Sequence, residues 1–289
     1  MSKRLRMSSA CPSQSSTTPT ASPSYRLAFE DLEFLGKQDL RPLRLQLELL
    51  KPEWYLRQEE ITSTIVVFGS ARFLSPETAS KQVTELKTAL RKKPQNKALQ
   101  SALRRAKKQL DYSCYYAEAR RFSALVSQRF QQEGRRDFVI VTGGGPGIME
   151  AANRGAHDTN GRSIGFNITL PREQVPNQFV SPDLCFRFRY FAIRKMHFLL
   201  RAKALVVFPG GFGTMDELFE VLTLIQTGKI ARMPVILIGR DFWTRAIDFN
   251  FLVEEGVIDQ DDVTLFQIAD CSEQAIQIVR KFYGGRPPE

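Results

Sequence analysis

The chain has 289 residues, of which 43 % are hydrophobic and 25 % are charged, and its formal net charge at pH 7 is +10. This composition is that of a soluble globular chain with room for one large or two small domains, and no apolar run approaches the roughly 20 residues that a membrane helix needs. The four scattered cysteines and two histidines argue against a disulfide framework, a zinc site and a Ser-His-Asp triad.

The N-terminal region lacks the apolar residues of a folded core. Of the 17 residues from 8 to 24, 13 are Ser, Thr or Pro, which predicts a disordered tail over residues 1–25. Basic residues precede this stretch and the first acid is Glu30, so an organelle-targeting segment is an alternative to a plain tail. We otherwise expect a cytoplasmic protein, because the cysteine pattern suits a reducing compartment. Residues 26–60 are amphipathic and predict a helical lead-in to the body of the protein.

Short apolar segments alternate with helix-like segments from residue 61 to about residue 283. Such an alternation is typical of a parallel sheet that is covered by helices on both faces. We therefore predict a doubly wound α/β fold with a mostly parallel, Rossmann-like sheet over residues 61–283. The predicted strands are residues 61–68, 138–141, 163–168, 204–208 and 234–238.

A basic segment interrupts this alternation and holds most of the excess charge. Residues 81–110 contain ten basic side chains and a single acid, Glu85, whereas the rest of the chain is close to neutral. Leucines at helical spacing on either side of Pro94 predict a helical hairpin over residues 75–110, inserted before a helix at 112–130. Its cationic face is either a solvated surface or a surface for a partner. Because the charge is so localised, we do not expect the protein as a whole to bind nucleic acid.

Three of the predicted strands end in glycine-rich turns, at Gly69-Ser70, Gly143 to Gly147, and Gly210 to Thr214. In open α/β sheets, ligands bind at the carboxyl ends of the strands, and the helix that follows directs its free N–H groups towards an anion. The three turns are therefore predicted to surround one phosphate-bearing small molecule.

The spacing of these glycines argues against two known phosphate motifs. The Walker pattern GxxxxGK[ST] is absent, because glycine and not lysine precedes Thr214. The dinucleotide pattern GxGxxG fails at its sixth position, Ile148, and the next strand ends at Asn167 without the acid that would bind a ribose. A mononucleotide therefore fits better than a redox dinucleotide, and we predict no cofactor and no bound metal.

Two segments supply charged candidates for chemistry. In Pro209 to Glu217, a glycine loop opens a helix and places Glu217 one turn after Thr214, on the same helical side. The pair Thr214 and Glu217 also fits a helix capping box, which is the structural alternative. Upstream, Arg194 and Lys195 follow an aromatic-rich stretch, which predicts that they are buried. Buried cations normally pair with an opposite charge.

Three motifs in this order closely resemble the Lonely Guy family: GGGPGIMEAAN at 143–153, Arg194-Lys195, and PGGFGTMDE at 209–217. The family comprises nucleotide phosphoribohydrolases, often mislabelled lysine decarboxylases. The resemblance implies at least a homodimer that hydrolyses the N-glycosidic bond of purine, cytokinin-type nucleoside 5′-monophosphates to free base and ribose 5-phosphate. It implies Arg194 and Glu217 as the catalytic pair. The predicted substrate-binding residues are Ser70, Gly143, Gly144, Gly145, Lys195, Gly210, Gly211, Gly213, Thr214, Asp216 and Thr223.

Other functions remain open at this stage. The protein could be a broader nucleotide 5′-monophosphate nucleosidase of purine salvage, or a nucleotide-binding module without turnover. The basic hairpin and the long N-terminal region lie outside the compact family core, so they bear on substrate preference more than on reaction type. Glu150 and Asn153 are as compatible with ligand contact as with a structural role, and His157 and His197 are predicted to be structural.

Overall fold

A seven-stranded sheet organises the chain. The computed structural model describes residues 18–170 and 175–285, and within these residues every strand pairing is parallel, in the order β4-β3-β2-β1-β5-β6-β7. The strands are β1 Thr64–Phe68, β2 Val139–Thr142, β3 Ser163–Ile168, β4 Cys185–Phe188, β5 Ala202–Val207, β6 Val235–Ile238 and β7 Gln267–Ala269. The predicted doubly wound α/β fold is therefore confirmed.

Helices cover both faces of the sheet. They are α1 Leu32–Gly36, α2 Arg41–Gln58, α3 Pro76–Lys92, α4 Lys97–Phe130, α5 Ile148–His157, α6 Phe191–Leu200, α7 Phe212–Gln226, α8 Arg240–Ala246, α9 Phe249–Glu254 and α10 Ser272–Phe282. Successive residues of β1 face opposite sides: Ile65 and Val67 belong to the core under α4, α5 and α10, whereas Val66 and Phe68 belong to the core under α6, α7 and α8. None of the helices that the structure describes combines the length and the apolar character needed to traverse a lipid bilayer.

The sheet contains two strands that the sequence did not predict. Strand β4 has four residues, of which Arg187 is exposed, and β7 has three residues, of which Gln267 is exposed. Both lie at the edges of the sheet, where one neighbouring strand is missing and burial is less complete. Short, half-exposed edge strands lack the continuous apolar run by which the five central strands were found.

The chain divides into two compact units, residues 1–47 and residues 48–289. In the first unit, α1 is capped by the Asp31 carboxylate, which accepts a hydrogen bond of 2.9 Å from the backbone N–H of Phe34. The tail is predicted over residues 1–25, and its residues 1–17 lie outside the described part of the chain. Residues 18–25 form two short 3-10 turns, Pro19–Ala21 and Pro23–Tyr25, with mostly exposed side chains.

The basic segment forms two antiparallel helices, α3 and α4, joined by a turn at residues 93–96. The Asn96 side chain caps α4 by accepting a hydrogen bond of 3.0 Å from the backbone N–H of Leu99. The prediction that the hairpin ends at residue 110 is wrong, because α4 runs for 34 residues without a break. No proline or glycine interrupts residues 97–130, and the buried side chains of Ala106, Ser113 and Tyr116 continue along one face. All ten basic side chains between residues 81 and 108 are exposed.

Candidate active site

The three glycine-rich turns meet at the carboxyl edge of the sheet and line one cleft of about 650 Å³. Backbone hydrogen bonds join the turns: the N–H of Ser70 donates to Pro209 O at 3.0 Å, and the N–H of Ile148 donates to Ser70 O at 3.0 Å. The turn after β1 therefore connects the start of α5 to the turn after β5. This arrangement follows from the strand order, because β1 lies between β2 and β5.

Most of the site residues predicted from the sequence line the cleft. The predicted residues that line it are Ser70, Gly143, Arg194, Gly210, Gly211, Gly213, Thr214 and Glu217. It also contains two polar side chains that were not among the predicted site residues, Arg72 and Asn167, together with the apolar Met149, Ile168, Leu170, Phe191, Phe212 and Met215. Asn167 stands at the end of the predicted strand 163–168, and Arg72 follows the glycine turn after the predicted strand 61–68. Their position at the carboxyl ends of strands was the signal that could have identified them.

The turn before α7 is built for close approach of a ligand. A Cβ atom at Gly210 would lie 2.1 Å from Thr214 Oγ1, so only glycine fits there without displacing Thr214. Gly211 and Gly213, in contrast, have no neighbouring atom within 4 Å of their Cβ positions. Helix α7 begins at Phe212, and the residue at its N-cap, Gly211, has no side chain that could accept a hydrogen bond from the first turn. The first turn of α7 therefore presents backbone N–H groups and the positive end of the helix dipole to an anion.

The helix start also decides between the two interpretations of Thr214 and Glu217. Thr214 is the third residue of α7 and Glu217 the sixth, whereas a capping box requires the first of the two to precede the helix. The capping-box alternative is therefore wrong, and both side chains line the cleft instead.

Glu217 and Arg194 form a mostly buried pair on the cleft wall. Arg194 Nη1 lies 3.8 Å from Glu217 Oε1, and the two side chains are 10 % and 15 % exposed. Arg194 Nε donates a hydrogen bond of 2.6 Å to Phe166 O in β3, and the guanidinium lies 5.0 Å from the ring centroid of Phe198. These contacts fix the guanidinium between α7 and β3.

Burial perturbs both charges of this pair. Burial raises the pKa of Glu217 to about 7, although the nearby Arg194 opposes the rise. Burial likewise lowers the pKa of the Arg194 guanidinium, against the influence of Glu217. A carboxyl group with a pKa near neutrality can exchange a proton during turnover at physiological pH, which is the property expected of a general acid or base.

The glycines after β2 pack beside Arg194 and shape the cleft around it. A Cβ at Gly143 would lie 2.5 Å from Arg194 Nη2, so glycine leaves room for the buried guanidinium. Gly144 has a φ of +69°, and Gly145 O accepts a hydrogen bond of 2.9 Å from Asn177 Nδ2. Gly144 and Gly145 lie behind the surface of the cleft and define the course of the turn.

Three predicted substrate contacts lie elsewhere in the described structure. Lys195 Nζ is 2.7 Å from Asp216 Oδ2 and 3.3 Å from Glu220 Oε2, on the outer side of α6 and α7. Thr223 is exposed, and its hydroxyl donates a hydrogen bond of 2.7 Å to Phe219 O. None of Lys195, Asp216 and Thr223 lines the cleft within this chain, so their role in binding stays a prediction.

Further polar residues near the motifs have structural partners. Glu150 accepts a hydrogen bond of 2.8 Å from Tyr116 Oη. Asn153 is fully buried and bridges Thr142 and Ser163. His197 is also buried, with Nε2 3.2 Å from Glu48 O.

Comparison with known proteins agrees with this geometry. A family model described as "Possible lysine decarboxylase" matches residues 149–279, which include α6, α7 and all of α5 except its first residue. A probable cytokinin riboside 5′-monophosphate phosphoribohydrolase LOG4 of Oryza sativa subsp. japonica is 29 % identical over 185 residues, covering 61 % of this chain and 79 % of the relative. The cytokinin riboside 5′-monophosphate phosphoribohydrolase LOG3 of Arabidopsis thaliana is 30 % identical over 154 residues, covering 50 % and 67 %.

A bacterial relative extends the range of named activities. The pyrimidine/purine nucleotide 5′-monophosphate nucleosidase of Escherichia coli (strain K12) is 32 % identical over 142 residues, covering 44 % of this chain and 29 % of its own length. The names of these relatives share one reaction type, hydrolysis at the glycosidic bond of a nucleotide. The predicted family and enzyme class are thereby confirmed, and the chain belongs to the Lonely Guy (LOG) family of N-glycosyl hydrolases.

Proposed function

We propose that the protein hydrolyses the N-glycosidic bond of purine nucleoside 5′-monophosphates, including the N6-prenylated cytokinin type, to free base and ribose 5-phosphate. The observation that carries this proposal is the position of Glu217. Its buried carboxyl group, with a pKa near 7, shares a cleft with the uncapped start of α7, which suits a phosphate. A phosphate site and a titratable carboxylate in one cleft are the two features that the reaction requires.

The 5′-phosphate binds at the first turn of α7. Gly211 and Gly213 leave open space there, and the N–H groups of the helix start stabilise negative charge. The Thr214 hydroxyl lines the same end of the cleft and can donate a hydrogen bond to a phosphate oxygen. This mode of binding accounts for a preference for nucleotides over nucleosides.

Glu217 acts on the sugar. As the bond between C1′ and the base nitrogen breaks, its electron pair leaves with the base and positive charge develops on the ribose ring. The ionised Glu217 stabilises that charge and accepts a proton from the water molecule whose oxygen bonds to C1′. The departing base takes up a proton from solvent or from the protonated carboxyl group. Arg194 holds Glu217 in place and favours its ionised form.

A broader nucleosidase is the second candidate, because the E. coli relative is named for both pyrimidine and purine nucleotides. The two functions differ in the bases they accept. We expect purified protein to release ribose 5-phosphate from AMP and N6-isopentenyl-AMP and to leave adenosine intact, with products separated by chromatography. Comparable turnover of CMP and UMP would support the broader enzyme. AMP binding without any product would instead establish a binding module and contradict the proposed hydrolysis.

We also propose a homodimer in which a second copy covers the outer face of α6 and α7. An apolar groove of about 630 Å³ lies there, lined in part by Met196, Leu199, Leu200 and Leu224. Met196 and Leu200 are 46 % and 48 % exposed, and burying them against a second copy would remove apolar surface from water. Light scattering should show a dimer for the native chain and a monomer for Leu200→Glu. A monomeric native chain would contradict this proposal.

For location, we propose the cytoplasm. The three described cysteines, Cys114, Cys185 and Cys271, are free thiols, which suits a reducing compartment. Fluorescence microscopy of the full chain with a C-terminal tag tests this, and an organellar signal that disappears when residues 1–25 are deleted would overturn it.

A further inference from the structure

Asn167 is a polar side chain in the cleft that the mechanism above does not use. It stands near the carboxyl end of β3, is only 7 % exposed, and lines the cleft between the apolar Ile168 and the neighbouring turn after β2. Apart from the catalytic pair and Thr214, it is one of the few polar side chains in a cleft wall that is otherwise rich in glycine and apolar residues. Sites of this kind use a small number of polar groups to select their ligand.

The orientation of the Asn167 amide is fixed by its neighbours. The Cys185 thiol donates towards Asn167 Oδ1 at 3.6 Å. Gly144 approaches the same oxygen so closely that a Cβ atom at Gly144 would lie 2.2 Å from it. The carbonyl side of the amide is therefore packed against protein. No hydrogen bond from Nδ2 is found within the described residues, which leaves the two N–H donors of a mostly buried amide for a ligand.

The strand order places Asn167 at the far end of the cleft from the phosphate site. Strand β3 is three strands away from β5, which leads into α7. At the strand spacing of parallel sheets this is roughly 14 Å, comparable with the length of an extended nucleoside 5′-monophosphate. Arg194 spans the middle of this distance, because it contacts Glu217 on one side and Phe166 O, next to Asn167, on the other. With the phosphate at α7 and the sugar at Glu217, the base extends towards Asn167.

We propose that Asn167 determines base specificity by donating a hydrogen bond from Nδ2 to a ring nitrogen of the purine. The apolar Ile168, Leu170 and Phe191 line the same cleft and suit the faces of an aromatic base. As the glycosidic bond breaks, electron density moves onto the ring nitrogens of the leaving base, so this hydrogen bond strengthens in the transition state. The proposal rests on the proposed hydrolysis and adds the group that recognises the base.

The test combines a truncated side chain with truncated substrates. We compare kcat/KM of the native chain and Asn167→Ala for AMP and for 1-deaza-, 3-deaza- and 7-deaza-AMP, each of which lacks one ring nitrogen. Loss of one hydrogen bond should lower kcat/KM for AMP by about 2- to 12-fold. The deaza analogue that lacks the nitrogen bonded by Asn167 should lower kcat/KM of the native chain by the same factor, relative to AMP. With Asn167→Ala, that analogue and AMP should have the same kcat/KM. Thr169→Ala is the matched control, because Thr169 is exposed just beyond the same strand and does not line the cleft.

Two results would overturn the proposal. One is an Asn167→Ala variant that is as active on AMP as Thr169→Ala. The other is that, for all three analogues, the effects of the substitution and of the missing nitrogen on kcat/KM are independent and simply combine. Asn167→Asp keeps the side-chain shape if Asn167→Ala fails to fold. It replaces the donor by a carboxylate and should lower kcat/KM further, so full activity of a folded Asn167→Asp would equally contradict the proposal. If the native chain does not hydrolyse AMP, the proposed function fails on its own. Calorimetric binding of the same four nucleotides to the native chain and the variants then tests Asn167 separately.

Discussion

The substitution Glu217→Gln tests the mechanism most directly, because it removes the charge of the carboxylate while keeping its size. The native carboxyl group has a pKa of about 7, so about half of it is ionised at pH 7 and about a tenth at pH 6. Loss of acid–base catalysis should lower kcat by about 10²- to 10⁴-fold with AMP still bound. Ribose 5-phosphate release and calorimetric AMP binding measure the two quantities. Glu220→Gln, on the same helix but outside the cleft, is the control and should retain activity.

The same pKa gives this prediction a pH dependence of known sign. If the ionised carboxylate is the active form, native kcat/KM falls about tenfold for each pH unit below 7 and levels off above it. Native turnover that rises as the pH drops would show that the protonated form is active. Turnover of Glu217→Gln within a few-fold of the native chain at every pH would refute the assignment of Glu217 altogether.

Stability should change in the opposite direction from activity. A carboxyl group whose pKa rises from 4.5 in the unfolded chain to about 7 in the fold holds its proton more tightly when folded, so native stability falls as the pH rises through this window. Glu217→Gln lacks this cost. Its stability relative to the native chain should therefore rise by about 2 kcal/mol between pH 5.5 and pH 8.5. Chemical unfolding at the two pH values measures the difference, and a pH-independent difference would contradict the raised pKa.

Four further predictions concern the glycine turn, metal dependence and the hairpin. Gly211→Ala should leave the unfolding free energy within about 0.5 kcal/mol of the native value, because no atom lies near its Cβ position. It should nevertheless raise KM for AMP, because the added methyl group occupies the phosphate site. Gly210→Ala should lower the melting temperature as well, since its Cβ would lie 2.1 Å from Thr214 Oγ1; equal behaviour of the two variants would contradict this interpretation of the turn. Dialysis against EDTA should leave turnover unchanged, and recovery of lost activity by one added metal would contradict the metal-free mechanism. Replacing Lys87, Arg91 and Lys92 by Gln should leave the kinetics with AMP unchanged, because these exposed side chains lie on α3, outside the cleft. The assay is run at 0.15 M salt, where the screening length is about 8 Å. An altered KM would connect the hairpin to the active site.

Local sequence patterns were enough to establish the central fold and the location of the cleft. Apolar segments such as residues 64–68 and 204–207 are buried on both faces, so a continuous run of large side chains identifies them without any tertiary information. Glycines at the ends of these strands then mark the ligand side, because parallel strands bring their carboxyl ends to one edge of the sheet. The motifs around Arg194 and Glu217 were sufficient to assign the family.

How far each element extends, and which way its side chains face, depended on packing in three dimensions. The edge strand β4 depends on pairing with β3, and the continuity of α4 depends on packing along its whole length, which local patterns at residue 110 do not show. The same holds within the site. Lys195 and Asp216 are sequence neighbours of Arg194 and Glu217, yet one step of about 100° around a helix turns them to the outer face, where they pair with each other. The pKa of Glu217 likewise comes from burial, which arises only when α6, α7 and β3 are assembled around it.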